Sequence, residues 1–376
     1  MMNKNLLITL AFLIFSSLMM FFLADEKIYK FIAKSVLFVS LVVPVLVLIL
    51  YKTLGISRTR AMLVNTLLLM FTLSFMLVLA EYSVRFLFVD VTTTADNSSF
   101  FANRWRKQNE PSINSLGYRE REISSPKPGD AYRIAVVGDS LTYGQGLQEE
   151  DRFSRIIETG LNENKPIHQV YNFGIPGAET VDHISFLDDV FTIDPDFILL
   201  QWFSNDVEGH DKSARPTSYR LIPSDFLTRI LHQNSALYYL VNSQWTALQA
   251  RLGWVGSYND SMDMRFSDRN SVDSQRAIGE LGAFIKKVRD RNIGLGIILF
   301  PNFGNEEGGV EKYPFPYLFE RVVEACEENK IKCLDMRARF SEESPETLWV
   351  NRFDQHPSKL ANEVAARSII DTYFND

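Results

Sequence analysis

The chain has 376 residues and a net charge of −7; eight basic and four acidic side chains in its first 90 residues leave −11 for the remainder. An acidic domain lacks the basic surface that phosphate backbones require, which excludes nucleic acid as a partner. Two cysteines are present, which excludes a disulfide-rich scaffold and any cysteine-based zinc site.

Three apolar stretches occupy the first 90 residues, and each approaches the roughly 20 residues that a helix needs to cross a bilayer. They run over residues 6–23, 32–51 and 61–80. No small-x-small cleavage site follows the first stretch, which argues against a removed signal peptide. We therefore predict a membrane segment over 1–90 with about three transmembrane helices.

The distribution of basic residues predicts how such a segment is oriented. The short loop after the second stretch holds Lys52, Arg58 and Arg60 without an acidic residue, so it should be cytoplasmic. An odd number of spans then places the following domain outside the cytoplasm. In an oxidising compartment Cys326 and Cys333 would bridge a helix end and the next strand, and two buried thiols are the alternative.

The remainder of the chain reads as an α/β domain. Residues 91–130 are polar and rich in turn formers, which predicts a linker and approach segment. Beyond it, apolar β-branched runs alternate with amphipathic segments, so a parallel sheet with helices on both faces is expected. The predicted strands are 132–137, 168–173, 196–202, 294–300 and 331–334.

One stretch, residues 208–273, interrupts this alternation. It contains an amphipathic segment at 235–252, which predicts a helical insertion after the third strand. An insertion at a strand's carboxyl end is placed to cover an active site, and simple peripheral packing is the alternative.

The first predicted strand leads into a candidate nucleophile. It continues as Gly138-Asp139-Ser140-Leu141, so the Ser140 hydroxyl should lie at the carboxyl edge of the sheet, where parallel α/β sheets hold their sites. The pattern is not the G-x-S-x-G elbow, because Thr142 replaces the second glycine. Taken alone, Asp-Ser at a strand end is more often a helix cap than a nucleophile.

Further polar residues follow the other strand ends. Gly174 ends the second strand, Asn205 follows the third, and Asp354 and His356 stand in a predicted loop before the last helix. An aspartate close to a histidine can orient the imidazole of a general base. The Gly174 N–H and the Asn205 amide can bind a developing oxyanion.

These residues make the chain resemble the SGNH, or GDSL, hydrolase superfamily. The four residues of that name appear in order as Ser140, Gly174, Asn205 and His356. The resemblance covers about residues 113–376 and includes the approach segment 114–119, which is similar to one in membrane-anchored bacterial members. It implies a three-layer α/β/α flavodoxin-like sandwich with sheet order 2-1-3-4-5 and a place at the bacterial inner membrane.

The resemblance also implies roles for individual residues. Ser140 would be the nucleophile, His356 the base and Asp354 its orienting partner. The oxyanion hole would comprise the N–H groups of Ser140 and Gly174 and the Asn205 amide. One departure is Phe203, which stands where the family has glycine; we expect its side chain in the pocket or against the insertion.

The implied function is hydrolysis of a carboxylic ester, with O-acetyl groups of a cell-envelope or polysaccharide substrate as the expected target and no cofactor or metal. An O-acyltransferase that acetylates a surface glycan with the same triad is the second hypothesis, and a non-catalytic glycan-binding module is the third. The remaining histidines share no metal-ligand spacing and are expected at the surface or at caps: His168, His183, His210 and His232.

Overall fold

The computed structural model describes residues 57–88, 91, 96, 98–109, 112–163, 166–209, 219–303 and 312–375. Its contacts divide the chain into two units, Met1–Leu87 and Phe88–Asp376. The second unit contains the complete sheet and both hydrophobic cores described below, so it has what a domain needs to fold by itself.

The first unit contributes helix α1, Ser57–Leu87, which includes the predicted span 61–80. The other two predicted spans, 6–23 and 32–51, lie outside the described residues. Over the part of the chain that the structure describes, no helix combines the length and the apolar character needed to cross a membrane.

Five parallel strands form the central sheet in the order β2-β1-β3-β4-β5, which confirms the predicted order. Each strand lies within one residue of its predicted bounds, because both faces are covered and the strands read as nearly continuous apolar runs. The strands are β1 Tyr132–Gly138, β2 His168–Gly174, β3 Phe197–Trp202, β4 Gly294–Leu299 and β5 Lys332–Asp335.

Helices cover both faces of the sheet in three layers. The helices of the second unit are α2 Phe100–Asn109, α3 Ser140–Tyr143, α4 Phe153–Leu161, α5 Thr180–Thr192, α6 Asp225–Asn234, α7 Ala236–Arg251, α8 Tyr258–Phe266, α9 Val272–Arg289, α10 Pro316–Glu328, α11 Arg337–Phe340, α12 Pro345–Leu348 and α13 Lys359–Tyr373. One core includes Leu187, Phe284 and Phe319 beneath α5, α9 and α10, and the other includes Phe153 and Ala365 beneath α4 and α13.

The predicted linker 91–130 is not irregular throughout, because it contains helix α2. This helix buries Phe100, Phe101 and Trp105. The Phe101 ring lies edge-to-face on Tyr239 of α7, with 5.6 Å between centroids. Burial of these aromatic side chains stabilises the helix. The sequence predicted a linker here because the segment contains many polar residues.

The insertion is helical, as predicted, and α7 agrees with the amphipathic segment expected at 235–252. It comprises α6, α7 and α8, while residues 210–218 and thus His210 lie outside the described part. Helix α2 packs against α6 and α7.

The two cysteines form a disulfide, which decides between the two alternatives left open by their spacing. Cys326 lies in α10 and Cys333 in β5, with 6.1 Å between their Cα atoms. The bridge therefore joins the end of a helix to the edge strand that follows it.

Candidate active site

The turn between β1 and α3 places Ser140 at the carboxyl edge of the sheet. Asp139 caps α3, since its Oδ1 accepts the Leu141 N–H at 2.9 Å. A Cβ at Gly138 would collide with the Thr142 side chain, and a Cβ at Gly174 would collide with the backbone of α3. Glycine at both positions therefore allows α3 to sit directly against the ends of β1 and β2.

A chain of hydrogen bonds joins the three predicted triad residues. Ser140 Oγ lies 2.8 Å from His356 Nε2, and His356 Nδ1 lies 2.5 Å from Asp354 Oδ1. Asp354 is fully buried and the His356 side chain is 12% exposed. The arrangement brings a hydroxyl, an imidazole and a carboxylate together in the order that nucleophilic catalysis requires.

Asp354 and His356 lie on a short strand, not on the loop that the sequence predicted. Strand β7, Asp354–Pro357, pairs antiparallel with β6, Trp349–Asn351. Side chains two residues apart on a strand point to the same face, which explains why this spacing brings the carboxylate to the imidazole. Asp354 Oδ1 also accepts the backbone N–H of His356 at 3.1 Å.

The pKa of His356 reflects opposing influences. Burial lowers it, but the Asp354 carboxylate, its hydrogen bond to the ring and the charge of Asp139 outweigh burial, so the pKa lies above the ordinary 6.5. The site therefore stabilises the imidazolium that forms when His356 takes the Ser140 proton.

This shift predicts an acidic limb in the pH profile of activity. Only neutral His356 can accept the Ser140 proton, so activity is lost as pH falls through the raised pKa. We expect kcat/KM to rise with pH along a limb centred above 6.5, the ordinary pKa of histidine. A profile of kcat/KM against pH measures this directly; a limb centred well below that value would contradict the described contact with Asp354.

Asn205, a predicted oxyanion donor, is held in place by Asp139. It lies in a 3-10 turn, Ser204–Val207, that follows β3. Its Nδ2 donates to Asp139 Oδ2 at 3.2 Å, which uses one of the two N–H groups of the amide. Asp139 therefore joins the start of the Ser140 helix to the Asn205 amide.

Gly174 stands where expected, but its N–H already has a partner. It donates to Asn172 Oδ1 at 3.0 Å. To serve an oxyanion this N–H must share or exchange that bond, so the role of Gly174 stays a prediction. The Ser140 N–H, at the amino end of α3, is the other predicted backbone donor.

His183 is buried, so the expectation of a surface or cap position is wrong for this residue. Its Nδ1 lies 3.2 Å from Asp206 Oδ1, and both side chains are fully buried. Asp206 Oδ2 accepts the Phe203 N–H at 2.7 Å, which shapes the turn that carries Asn205. Asp206 was not identified from the sequence as a site residue. It directly follows the candidate residue Asn205 in the sequence, and this adjacency could have indicated it.

Asp139 lies in this acidic interior, and its pKa is raised to about 6. Burial is the main cause and the nearby Asp206 is the second, while the Leu141 N–H, His183 and His356 act in the opposite direction. At neutral pH the group is thus held ionised at a cost to folding.

We expect Asp139→Asn to raise stability at neutral pH and to lower activity. The pKa of Asp139 in the folded protein, about 6, exceeds the ordinary 3.8. The free energy of unfolding therefore falls by about 3 kcal/mol as pH rises through that interval, because the carboxyl ionises more readily in the unfolded chain. Asparagine can still cap α3 but cannot accept from both Leu141 and Asn205, so roughly 10²-fold of kcat should be lost.

Thermal unfolding and the pH profile of kcat/KM together check this result. Because the Asp139 charge raises the pKa of His356, its removal should also move the acidic limb to lower pH. Unchanged kcat with an unshifted limb would show that Asp139 positions neither group.

The approach segment seen in the sequence supports the loop after α3. Asn114 Oδ1 closes a turn by accepting the Tyr118 N–H at 3.0 Å. The buried Arg119 guanidinium then donates to the carbonyl oxygens of Gly144 at 2.8 Å and Leu147 at 2.7 Å. Sequence reasoning found this segment only by resemblance, because its contacts join residues that are distant along the chain.

Phe203, the departure from the family pattern, is half-buried and packs against the core beneath α4 and α13. Over the described residues, no group of three or more His, Cys, Asp or Glu side chains is arranged to hold a metal ion.

Comparison with known families identifies the class of enzyme. The model of the GDSL-like Lipase/Acylhydrolase family matches residues 136–364, more than half of the chain. The protein therefore belongs to this family and is an ester-hydrolysing serine hydrolase. No curated protein sequence matches the chain.

Several solved structures are similar at low identity. The acetyl xylan esterase AlAXEase is 14% identical, with 64% of this chain and 100% of that one covered and a TM-score of 0.41. A catalytic mutant of Axe2, an acetylxylan esterase from Geobacillus stearothermophilus, is 17% identical. The match covers 66% of this chain and 97% of that one, with a TM-score of 0.41. A member of the lipolytic protein G-D-S-L family from Veillonella parvula is 13% identical. The match covers 65% of this chain and 100% of that one, with a TM-score of 0.40. At such similarity the substrates of these proteins do not transfer to this chain.

Proposed function

We propose that the protein hydrolyses carboxylic esters, specifically O-acetyl groups on a cell-envelope or polysaccharide substrate, with Ser140, His356 and Asp354 as its triad. The hydrogen-bonded chain from Ser140 Oγ through His356 to the buried Asp354 is the observation that carries this proposal.

In the acylation step, Ser140 Oγ attacks the ester carbonyl carbon while His356 Nε2 takes the hydroxyl proton. The Asp354 carboxylate stabilises the imidazolium. The Ser140 N–H and the second N–H of the Asn205 amide donate to the oxyanion. The tetrahedral intermediate then collapses: the bond to the alcohol oxygen breaks, and His356 returns the proton to the leaving alcohol.

In the deacylation step, water takes the place of the alcohol. It attacks the acyl carbon, gives a proton to His356 and forms a second tetrahedral intermediate in the same oxyanion hole. Collapse breaks the bond to Ser140 Oγ, which regains the proton from His356, and releases acetic acid, which ionises to acetate. No group beyond the triad and the oxyanion donors is needed.

We further propose that residues 1–90 attach the domain to a bacterial inner membrane and that the domain faces outward. The three apolar stretches and the basic loop between the second and third support this, and the Cys326–Cys333 disulfide suits an oxidising compartment. An outward domain held at the membrane meets envelope glycans, hence the choice of acetylated polysaccharide. A carboxyl-terminal alkaline phosphatase fusion, active only outside the cytoplasm, tests the orientation.

Acetate release from acetylated xylan by the fragment 88–376 tests the activity, with and without an added oligosaccharide acceptor. Release in water alone is the expected result. Acetyl transfer that requires the acceptor would instead establish an acyltransferase with the same triad. Glycan binding without either reaction would establish a binding module and overturn the proposal.

A further inference from the structure

Helix α7 of the insertion exposes an apolar stripe. Val241, Trp245, Leu248 and Leu252 recur every three or four residues, the spacing of one helical face. The aliphatic members are 45%, 44% and 51% exposed, values far from those of core residues. Exposed apolar residues that share one helical face are a candidate interaction surface.

An ordered aromatic cluster extends the stripe. Trp245 Nε1 donates to the Tyr219 carbonyl oxygen at 2.8 Å, and Gln249 Oε1 accepts the Tyr219 N–H at 2.6 Å. The Trp254 ring lies edge-to-face on Trp245, with 6.1 Å between centroids. Tyr219 and Trp254 are nonetheless more than half exposed, so the structure holds these rings at the surface instead of burying them.

The charge of this region is opposite to that of the rest of the domain. Residues 219–254 carry Arg220, Arg229 and Arg251 and a single acid, Asp225, a net charge of +2. All other residues from 91 onward therefore carry −13. The apolar stripe thus lies in a basic segment of an acidic domain.

We propose that the α7 face, defined as Tyr219, Val241, Trp245, Leu248, Leu252 and Trp254, rests on the head-group region of a lipid bilayer that contains anionic lipid. Aliphatic side chains enter the boundary of the acyl chains, while tryptophan and tyrosine favour the interface. Arginine is attracted to anionic head groups. A glycan platform would pair its aromatic rings with polar hydrogen-bonding groups instead of an aliphatic stripe.

The path of the chain at the start of the second unit, Phe88–Asp376, agrees with the proposal. Arg104 of α2 donates to the carbonyl oxygens of Phe88 at 3.2 Å and Val91 at 2.6 Å. Helix α2 in turn packs on α7 through Phe101 and Tyr239. Phe88 and Val91, at the start of the second unit, are thus connected through α2 to the helix that carries the α7 face.

Co-sedimentation of the fragment 88–376 with vesicles tests the α7 face without the amino-terminal stretches. We expect binding to phosphatidylcholine vesicles that contain phosphatidylglycerol and weaker binding to phosphatidylcholine alone. Val241→Ser combined with Leu248→Ser should weaken binding about tenfold or more. Arg251→Gln should weaken binding to the anionic vesicles by roughly fivefold.

Two other exposed apolar residues supply matched controls. Met264 and Val272 are 82% and 85% exposed but lie outside the α7 face, so Met264→Ser and Val272→Ser should leave binding unchanged. Circular dichroism and ester hydrolysis show whether each variant is folded.

Two results would overturn the proposal. One is a folded wild-type fragment that does not sediment with the anionic vesicles, and the other is vesicle binding by the Val241 and Leu248 double variant that equals that of the wild type. If vesicle binding is absent and the same double variant abolishes self-association or binding to acetylated xylan, the face belongs to a second copy of the chain or to a glycan.

Discussion

Replacement of Ser140 by alanine should lower kcat for ester hydrolysis by about 10⁴-fold or more while KM changes little. The hydroxyl is 2.8 Å from His356 Nε2, so its loss removes the atom that forms the acyl-enzyme. Substrate binding and the oxyanion donors remain, which is why some rate above that of water should persist. Alanine fits the first position of α3, so the fold should be kept.

Hydrolysis of p-nitrophenyl acetate by the fragment 88–376 measures this effect. Ser185→Ala, on the exposed face of α5, is the matched control and should retain the wild-type rate. Because triad members act as one unit, Ser140→Ala combined with His356→Ala should be no slower than Ser140→Ala alone. A Ser140→Ala rate within tenfold of wild type would remove Ser140 from the proposed chemistry and direct attention to a different nucleophile.

The sheet could be predicted from the sequence because each of its strands is covered on both faces. Val136, Val137 and Leu199 are fully buried, and such runs read as strands whatever lies beside them. Helix α2 could not be found in the same way. Its Phe101 packs on Tyr239, far along the chain, and the polar residues between Phe101 and Trp105 hid the helical pattern.

The candidate site shows the same division. Ser140 and Asn205 follow the ends of β1 and β3, and parallel strands bring their carboxyl ends to one edge, so the proximity of these two residues was predictable. His356 lies on β7 of the separate two-stranded sheet, so the order of the parallel strands did not place it. The bond from Asn205 to Asp139 was not, because it depends on how two turns approach each other in space. The contact between His183 and Asp206, whose side chains are both fully buried, was not predicted either, because it too depends on how separate segments approach each other in space.

Asp354→Asn should lower kcat by about 10⁴-fold at neutral pH without unfolding the domain. Asp354 Oδ1 lies 2.5 Å from His356 Nδ1 and thereby keeps the proton on that nitrogen, which leaves Nε2 free to accept from Ser140. An asparagine can turn its NH₂ group toward Nδ1, and the proton then moves to Nε2, where it blocks the transfer. Asp335→Asn, on β5 and outside the site, is the matched control and should keep the wild-type rate.

The pH profile of Asp354→Asn separates loss of the charge from general damage to the site. The Asp354 carboxylate raises the pKa of His356 while burial lowers it, so removal of the charge leaves burial as the larger influence. The acidic limb of the residual activity should therefore move to lower pH, whereas a merely distorted site would lose rate with the limb in place. A variant with a wild-type rate and an unshifted limb would mean that another group orients His356 in solution.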